Sequence, residues 1–186
     1  MTIAAHENPP ICFPETLFSA PNQDESDKVW WIARTKSRQE KALAWDLAAR
    51  KTEYFLPLVS KPQKSRGRMR ASIVPLFNGY MFFKGSLLDR QNALQTGRVA
   101  QVLEVDDQQG LLSELSQIAL AASEKISLEL CDFVKRGQRV RIIAGPFKGL
   151  EGVVNKQKNR TRLLLTVAAI KQAAAIEISL DQAQPI

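Results

Sequence analysis

The sequence predicts an α+β chain of two small domains, a helix-covered antiparallel sheet followed by a compact β-barrel. Three observations carry that expectation. Between Val29 and Val105 the patterns run strand, helix, two or three strands, helix, strand. That order is the mark of a split βαβ sandwich with helices over one face of the sheet. From Val134 onward, short segments that alternate apolar and polar residues are separated by turn signals, as in a small barrel. Finally, the length of 186 residues fits two small units, and no internal repeat links the halves.

Residues 1–27 contain four prolines, scattered Asn, Ser and Gln, five acids and no Lys or Arg. They read as a disordered acidic tail. The alternative is that Ile11, Phe13, Leu17 and Phe18 form a docking peptide. Order begins at Val29. Val29 to Thr35 has the aromatic and apolar content of a buried strand. Ser37 and Glu40 have capping-box spacing, and the helix they open should run to about Lys51 with Leu43, Ala44, Leu47 and Ala48 on one stripe. Thr52 to Pro57 returns to strand composition. Lys61 to Arg70 supplies five bases, no acid and Gly67, which predicts an exposed hairpin or loop.

A strand ending near Phe77, a turn at Asn78-Gly79 and a strand over Tyr80 to Lys84 follow. Leu87 to Thr96 fits a helix stopped by Gly97, and Val99 to Val105 a further strand. After Asp107, the spacing of Leu112, Leu115, Ala119, Ala122 and Ile126 predicts a third helix. The domains are therefore expected at 28–126 and 134–186, with 127–133 as linker. In the second domain, strands are expected over Arg139 to Ile143, Glu151 to Gln157, Arg162 to Val167 and Ala175 to Leu180. Ala168-Ala169 and Ala173-Ala174-Ala175 are poor strand formers and read as a barrel loop and strand edge.

Composition narrows the function. The net charge of +7 is segregated: residues 28–70 hold twelve bases against three acids, and 134–186 ten against three. The stretch between, 71–133, holds four bases against eight acids. Two basic blocks point to two surfaces near phosphates or acidic protein. The single histidine, His6, lies in the tail, which removes Ser-His-Asp and Cys-His catalysis. No CxxC or HExxH is present, so a zinc site has too few ligands. Asp106 and Asp107 read as helix-capping residues rather than a catalytic pair. No metal, no cofactor and no enzymatic activity are expected; the function must lie in binding. The longest apolar run, Leu163 to Ile170, is far short of the roughly 20 residues of a membrane span. No secretory signal is visible, and Cys12 and Cys131 read as free thiols, so a cytoplasmic monomer is expected.

Two stretches resemble the NusG family of transcription factors. Trp30-Trp31-Ile32-Ala33-Arg34-Thr35-Lys36, with Pro75-Leu76-Phe77-Asn78-Gly79-Tyr80-Met81-Phe82-Phe83 forty residues on, is similar to the first domain of that family, an RRM-like sandwich. Gly137-x-x-Val140-x-Ile142 and Gly145-Pro146-Phe147-x-Gly149-Leu150-x-Gly152-x-Val154 resemble a KOW motif, the start of an SH3-like barrel. The resemblance implies an elongation or antitermination factor whose apolar hollow grips the clamp helices of the RNA polymerase largest subunit, bridges the DNA cleft and modulates pausing and termination. Trp30, Phe77, Tyr80 and Phe82, with Arg34 at the strand end, match the hollow.

Lys36, Arg38 and Lys41, and Lys64, Arg66, Arg68 and Arg70 of the basic loop, fall in regions that in the family face upstream or non-template DNA. Their contacts would be to phosphate. In the KOW domain, Phe147 and Ile170 are the expected partner-binding positions, the partner being a small-subunit ribosomal protein or Rho. Ile170 stands where general family members present a Phe, and Asn78 replaces the usual turn proline, for which Asn-Gly is a sound substitute. The lost ring and the acidic tail lean toward a specialised paralogue of the RfaH kind. Two other readings stay open. Asn78 to Phe83 also resembles the aromatic strand of an RRM, which would make the chain an RNA-binding module in ribosome assembly or RNA chaperoning. An adaptor without nucleic-acid contact is the third.

Overall fold

The structure is a computed structural model that describes residues 8–19, 27–65, 68–123, 128–132, 137–157 and 160–186. The chain divides into two compact units, Met1–Gln108 and Gln109–Ile186.

The first unit opens with β1 (Cys12–Phe13), β2 (Val29–Thr35), α1 (Glu40–Ala49) and β3 (Glu53–Phe55). A hairpin of β4 (Leu58–Ser65) and β5 (Arg68–Pro75) follows, then β6 (Tyr80–Gly85), α2 (Leu87–Gln95) and β7 (Val99–Leu103). The five-stranded sheet has the order β1-β3-β6-β2-β7 and every pairing in it is antiparallel. Its central strands interleave as a split βαβ sandwich requires. Alternation along the strands sorts the aromatic residues. Trp31, Ala33, Tyr54, Met81 and Phe83 bury themselves with Leu43, Ala44 and Leu47 of α1, and Ala93 of α2 joins the same core.

Local chemistry differs from expectation at the start of α1. Ser37 and Glu40 form no capping box: α1 begins at Glu40 after Gln39, whose side chain makes no cap, and Arg38 sits at φ 60°. The Glu40 carboxylate is used elsewhere, accepting the Gly79 N–H at 2.7 Å. A capping box is present on α2 instead, where the Ser86 hydroxyl accepts from the Asp89 N–H and Asp89 accepts from the Ser86 N–H. At the sheet margin the Gln108 carboxamide serves both backbone groups of Trp30. Its Oε1 accepts the Trp30 N–H at 2.7 Å, and its Nε2 donates to the Trp30 carbonyl at 3.0 Å.

The expectation of a disordered tail is corrected for residues 8–19. β1 pairs with β3, Cys12 opposite Phe55 and Phe13 opposite Tyr54. The Leu56 N–H donates to the Ile11 carbonyl at 2.7 Å, and the Tyr54 hydroxyl to the Pro10 carbonyl at 3.1 Å. Burial, and then the nearby Cys12 thiol, push the Tyr54 phenol well above its usual range, so it stays a proton donor. The physical reason for the order is apolar area: Ile11, Phe13, Leu17 and Phe18 give this stretch surface to bury. The rest of the tail, with His6, lies outside the described residues.

In the second unit, α3 (Gln108–Ser123), which starts on the last residue of the first unit, precedes β8 (Glu129–Asp132), β9 (Gln138–Ile142) and β10 (Glu151–Gln157). β11 (Arg160–Val167), β12 (Gln172–Glu177) and β13 (Ala183–Pro185) complete it. The antiparallel sheet has the order β13-β9-β10-β11-β12-β8, and β9 to β12 form the meander expected of a small barrel. One expectation is corrected here: the segment 127–133, read as a linker, contains β8, paired with β12. Within the second unit, α3 presents Gln117, whose Oε1 accepts the Glu151 N–H at 2.9 Å. Its buried stripe is Leu111, Leu115, Ile118 and Ala121, turned by one residue from the predicted stripe; Ile126 lies outside the described residues.

Ala173, Ala174 and Ala175 are neither loop nor edge. They are buried in β12 between β11 and β8, with Ala174 opposite both Leu165 and Leu130. Small side chains there let the bulky Leu163, Leu164 and Leu165 fill the adjoining space. Among the described residues no helix is long and apolar enough to cross a membrane.

Candidate functional site

The face of the first sheet away from the α1 core is aromatic. β2 places Trp30, Ile32 and Arg34 in register with Lys84, Phe82 and Tyr80 of β6, and Phe55 of β3 lies opposite Phe82. Phe77, just before the Asn78-Gly79 turn, meets Phe82 edge-on with centroids 6.0 Å apart, and Phe55 tilts against Phe82 at 6.4 Å. The turn is fixed from two sides. Gly79 adopts φ 79°, its N–H reaching Glu40 and its carbonyl accepting the Thr35 N–H at 2.9 Å. This places Tyr80 at the head of β6, beside Arg34.

The five predicted residues of this face come together, but not as an open hollow. Trp30, Phe77 and Phe82 are 4%, 1% and 0% exposed, whereas Tyr80 is half-buried and Arg34 exposed. Part of the cover is Phe18. Its ring stacks on Trp30 with centroids 6.1 Å apart and planes 8° from parallel, and meets Phe55 edge-on at 5.0 Å. Phe55 and Phe18 were missing from the predicted site. The only signal for Phe18 was the apolar spacing of 11–18, and none distinguished Phe55 from core.

The basic residues divide. Lys36 and Arg38 are exposed. Lys41 is committed: its ammonium donates to the Ile73 carbonyl and to Asn8 Oδ1, both at 2.6 Å. Arg38, Glu40 and Lys41 line a cleft of about 640 Å³ with Ile73 of β5 and the Asn78-Gly79 turn, which the sequence did not announce. The predicted basic hairpin exists. Register puts Lys61 opposite Ser72 and Gln63 opposite Arg70 on one face, and Pro62 opposite Ala71 and Ser60 opposite Ile73 on the other. Arg70 is exposed. Arg66 lies outside the described residues, as do the side chains of Lys64 and Arg68.

In the second unit Phe147 is half-buried in the turn after Gly145, and Ile170 is 8% exposed at the end of a 3-10 turn, Ala168–Ile170. Glu114 of α3 accepts the Ala168 N–H at that turn. Gly152 explains part of the motif: a Cβ there would stand 2.5 Å from the Leu164 carbonyl oxygen, so β10 and β11 approach closely only over glycine.

Two family models match the chain, that of NusG, described as transcription termination factor nusG, over residues 28–118, and the KOW motif over 136–165. The chain belongs to the NusG family. The transcription termination/antitermination protein NusG of Lactococcus lactis subsp. lactis (strain IL1403) is 25% identical over 175 residues, covering 86% of this chain and 94% of that protein. Among solved structures, one on domain interaction in Thermotoga maritima NusG is 16% identical, covers 87% of this chain and 98% of that one, and has a TM-score of 0.46. A chain of the MjSpt4:Spt5 complex is 18% identical, covers 84% and 96%, and has a TM-score of 0.24. In this NusG-family chain the matched segments contain all the predicted site residues except Ile170, which follows the KOW match.

Proposed function

We propose that this chain is a non-catalytic transcription elongation and antitermination factor of the cytoplasm. Its first unit binds the clamp helices of RNA polymerase through the face of Trp30, Arg34, Phe77, Tyr80 and Phe82. Lys36, Arg38 and the basic hairpin hold nearby DNA phosphates across the cleft, and the KOW unit recruits a partner, a ribosomal protein or Rho, near Phe147 and Ile170.

The observation that supports this reading best is Tyr80. It stands half-buried beside the exposed Arg34, at the rim of an aromatic cluster and on a turn braced by Glu40. A half-covered tyrosine next to an arginine has the composition of an interface centre. The burial of Phe55 and Phe82 tells against base stacking on the sheet, which an RNA-binding module would need.

The test is reconstituted transcription with purified polymerase, scoring pausing and termination with and without the chain and its Tyr80→Ala variant. An effect of the parent that Tyr80→Ala loses is expected. No effect of the parent on either step would defeat the reading.

A further inference from the structure

The described part of the N-terminal segment occupies the surface on which the proposed function depends. Residues 8–19 clasp the edge of the sheet from both faces. Phe13 stacks on Tyr54 with centroids 6.2 Å apart, on the helix-covered side. Phe18 reaches the opposite side and lies over Trp30 and Phe55. At its other end Asn8 accepts a hydrogen bond from Lys41, a base of the α1 cleft. One short segment thereby touches both the aromatic face and the cationic edge.

Its hold is light. β1 is two residues long, and the large side chains Ile11, Phe13, Leu17 and Phe18 are only half-buried. A two-residue strand at a sheet edge, with its large side chains left partly exposed, is the mark of an element that opens locally, well below the cost of global unfolding. By contrast, the Trp30 and Phe55 rings it covers are almost fully enclosed, so a partner that needs Trp30 has to displace Phe18.

We propose that residues 8–19 are an intramolecular competitor for the polymerase site, with the Phe18 ring standing in for an apolar side chain of the partner's helices. Opening the segment uncovers the Trp30–Phe55 surface and frees the Lys41 ammonium from Asn8 in one movement. Binding affinity is then the intrinsic affinity reduced by the fraction of molecules in which the segment is open. This inference rests on the polymerase reading and adds regulation to it.

The test titrates full-length parent, Phe18→Ala and Tyr80→Ala against immobilised core RNA polymerase. Removing the Phe18 ring, with its stacked and edge-on partners, should raise the open fraction, so Phe18→Ala binds about 3- to 10-fold more tightly than the parent. A synthetic peptide of residues 8–19 added in excess should restore parent-like binding. Acrylamide quenching of tryptophan fluorescence, measured without polymerase, should increase in Phe18→Ala. Equal or weaker binding by Phe18→Ala, with Tyr80→Ala still defective, overturns the competitor and leaves the polymerase reading standing. Parent-like binding by Tyr80→Ala removes the polymerase reading itself, and this proposal with it.

Discussion

Glu40 and Gly79, thirty-nine residues apart, are joined by a 2.7 Å hydrogen bond from the glycine N–H to the carboxylate. Glu40 is buried, and the bond connects the first turn of α1 to the turn that launches Tyr80. Glu40→Ala leaves a backbone donor without its acceptor and should cost about 1–3 kcal/mol. Glu40→Gln, which keeps an acceptor oxygen, should recover part of that loss. Urea unfolding midpoints of the three proteins decide it; equal midpoints for Glu40→Ala and the parent would contradict the role given to the bond.

Gly152 faces the Leu164 carbonyl so closely that any Cβ must move a strand. Gly152→Ala is expected to destabilise the second unit by about 1–3 kcal/mol, while Gly149→Asn, at a left-handed position with open space around it, should cost less than that. Thermal unfolding of the full chain, followed by amide exchange in β10 and β11, separates the two.

The basic hairpin predicts a salt effect. Replacing Arg66, Arg68 and Arg70 with Ala should weaken association with a DNA duplex and flatten its dependence on salt. The log–log slope should fall by roughly 0.9 for each phosphate that is no longer neutralised. An unchanged slope across a salt titration would assign these side chains to the solvated surface.

Asp89 gives a pH prediction. Burial alone would raise its pKa. Hydrogen bonds from the Ser86 hydroxyl and N–H and from Thr52, with the charge of Lys28, outweigh burial and hold it below the usual 3.8. The folded form therefore binds its proton less readily than the unfolded chain does. The stabilisation is complete above pH 3.8 and is lost as pH falls through the lower folded value. Asp89→Asn should be less stable than the parent at neutral pH, and the gap should close as acid is added. A gap independent of pH between 2 and 7 in urea midpoints would remove the charge from the account.

How much of this was legible in the sequence depends on the range of the interaction. Leu43, Ala44 and Leu47 announced a helix stripe because helical period is local, and Tyr80 to Phe83 announced a strand for the same reason. The α3 stripe slipped by one residue because Leu111-Leu112 and Ile118-Ala119 are apolar in pairs, and period alone cannot rank two adjacent faces. Ser37 and Glu40 had capping spacing, yet Glu40 found a distant N–H. Ala173 to Ala175 entered a central strand against their propensity because tertiary packing overrides it. The aromatic cluster of Trp30, Phe77 and Phe82 was legible in the motifs around Trp30 and Tyr80, while Phe18 was hidden in a stretch whose composition resembled disorder.

The Gln108 carboxamide has a consequence for association between molecules. β2 pairs with β7 only from Ile32 to Thr35, so the backbone of Trp30 would otherwise offer a bare N–H and carbonyl at the margin of the sheet. One side chain imitates the missing residue of a neighbouring strand and plugs that vacancy. A strand laid beside β2 at that point would find its first docking rung already taken.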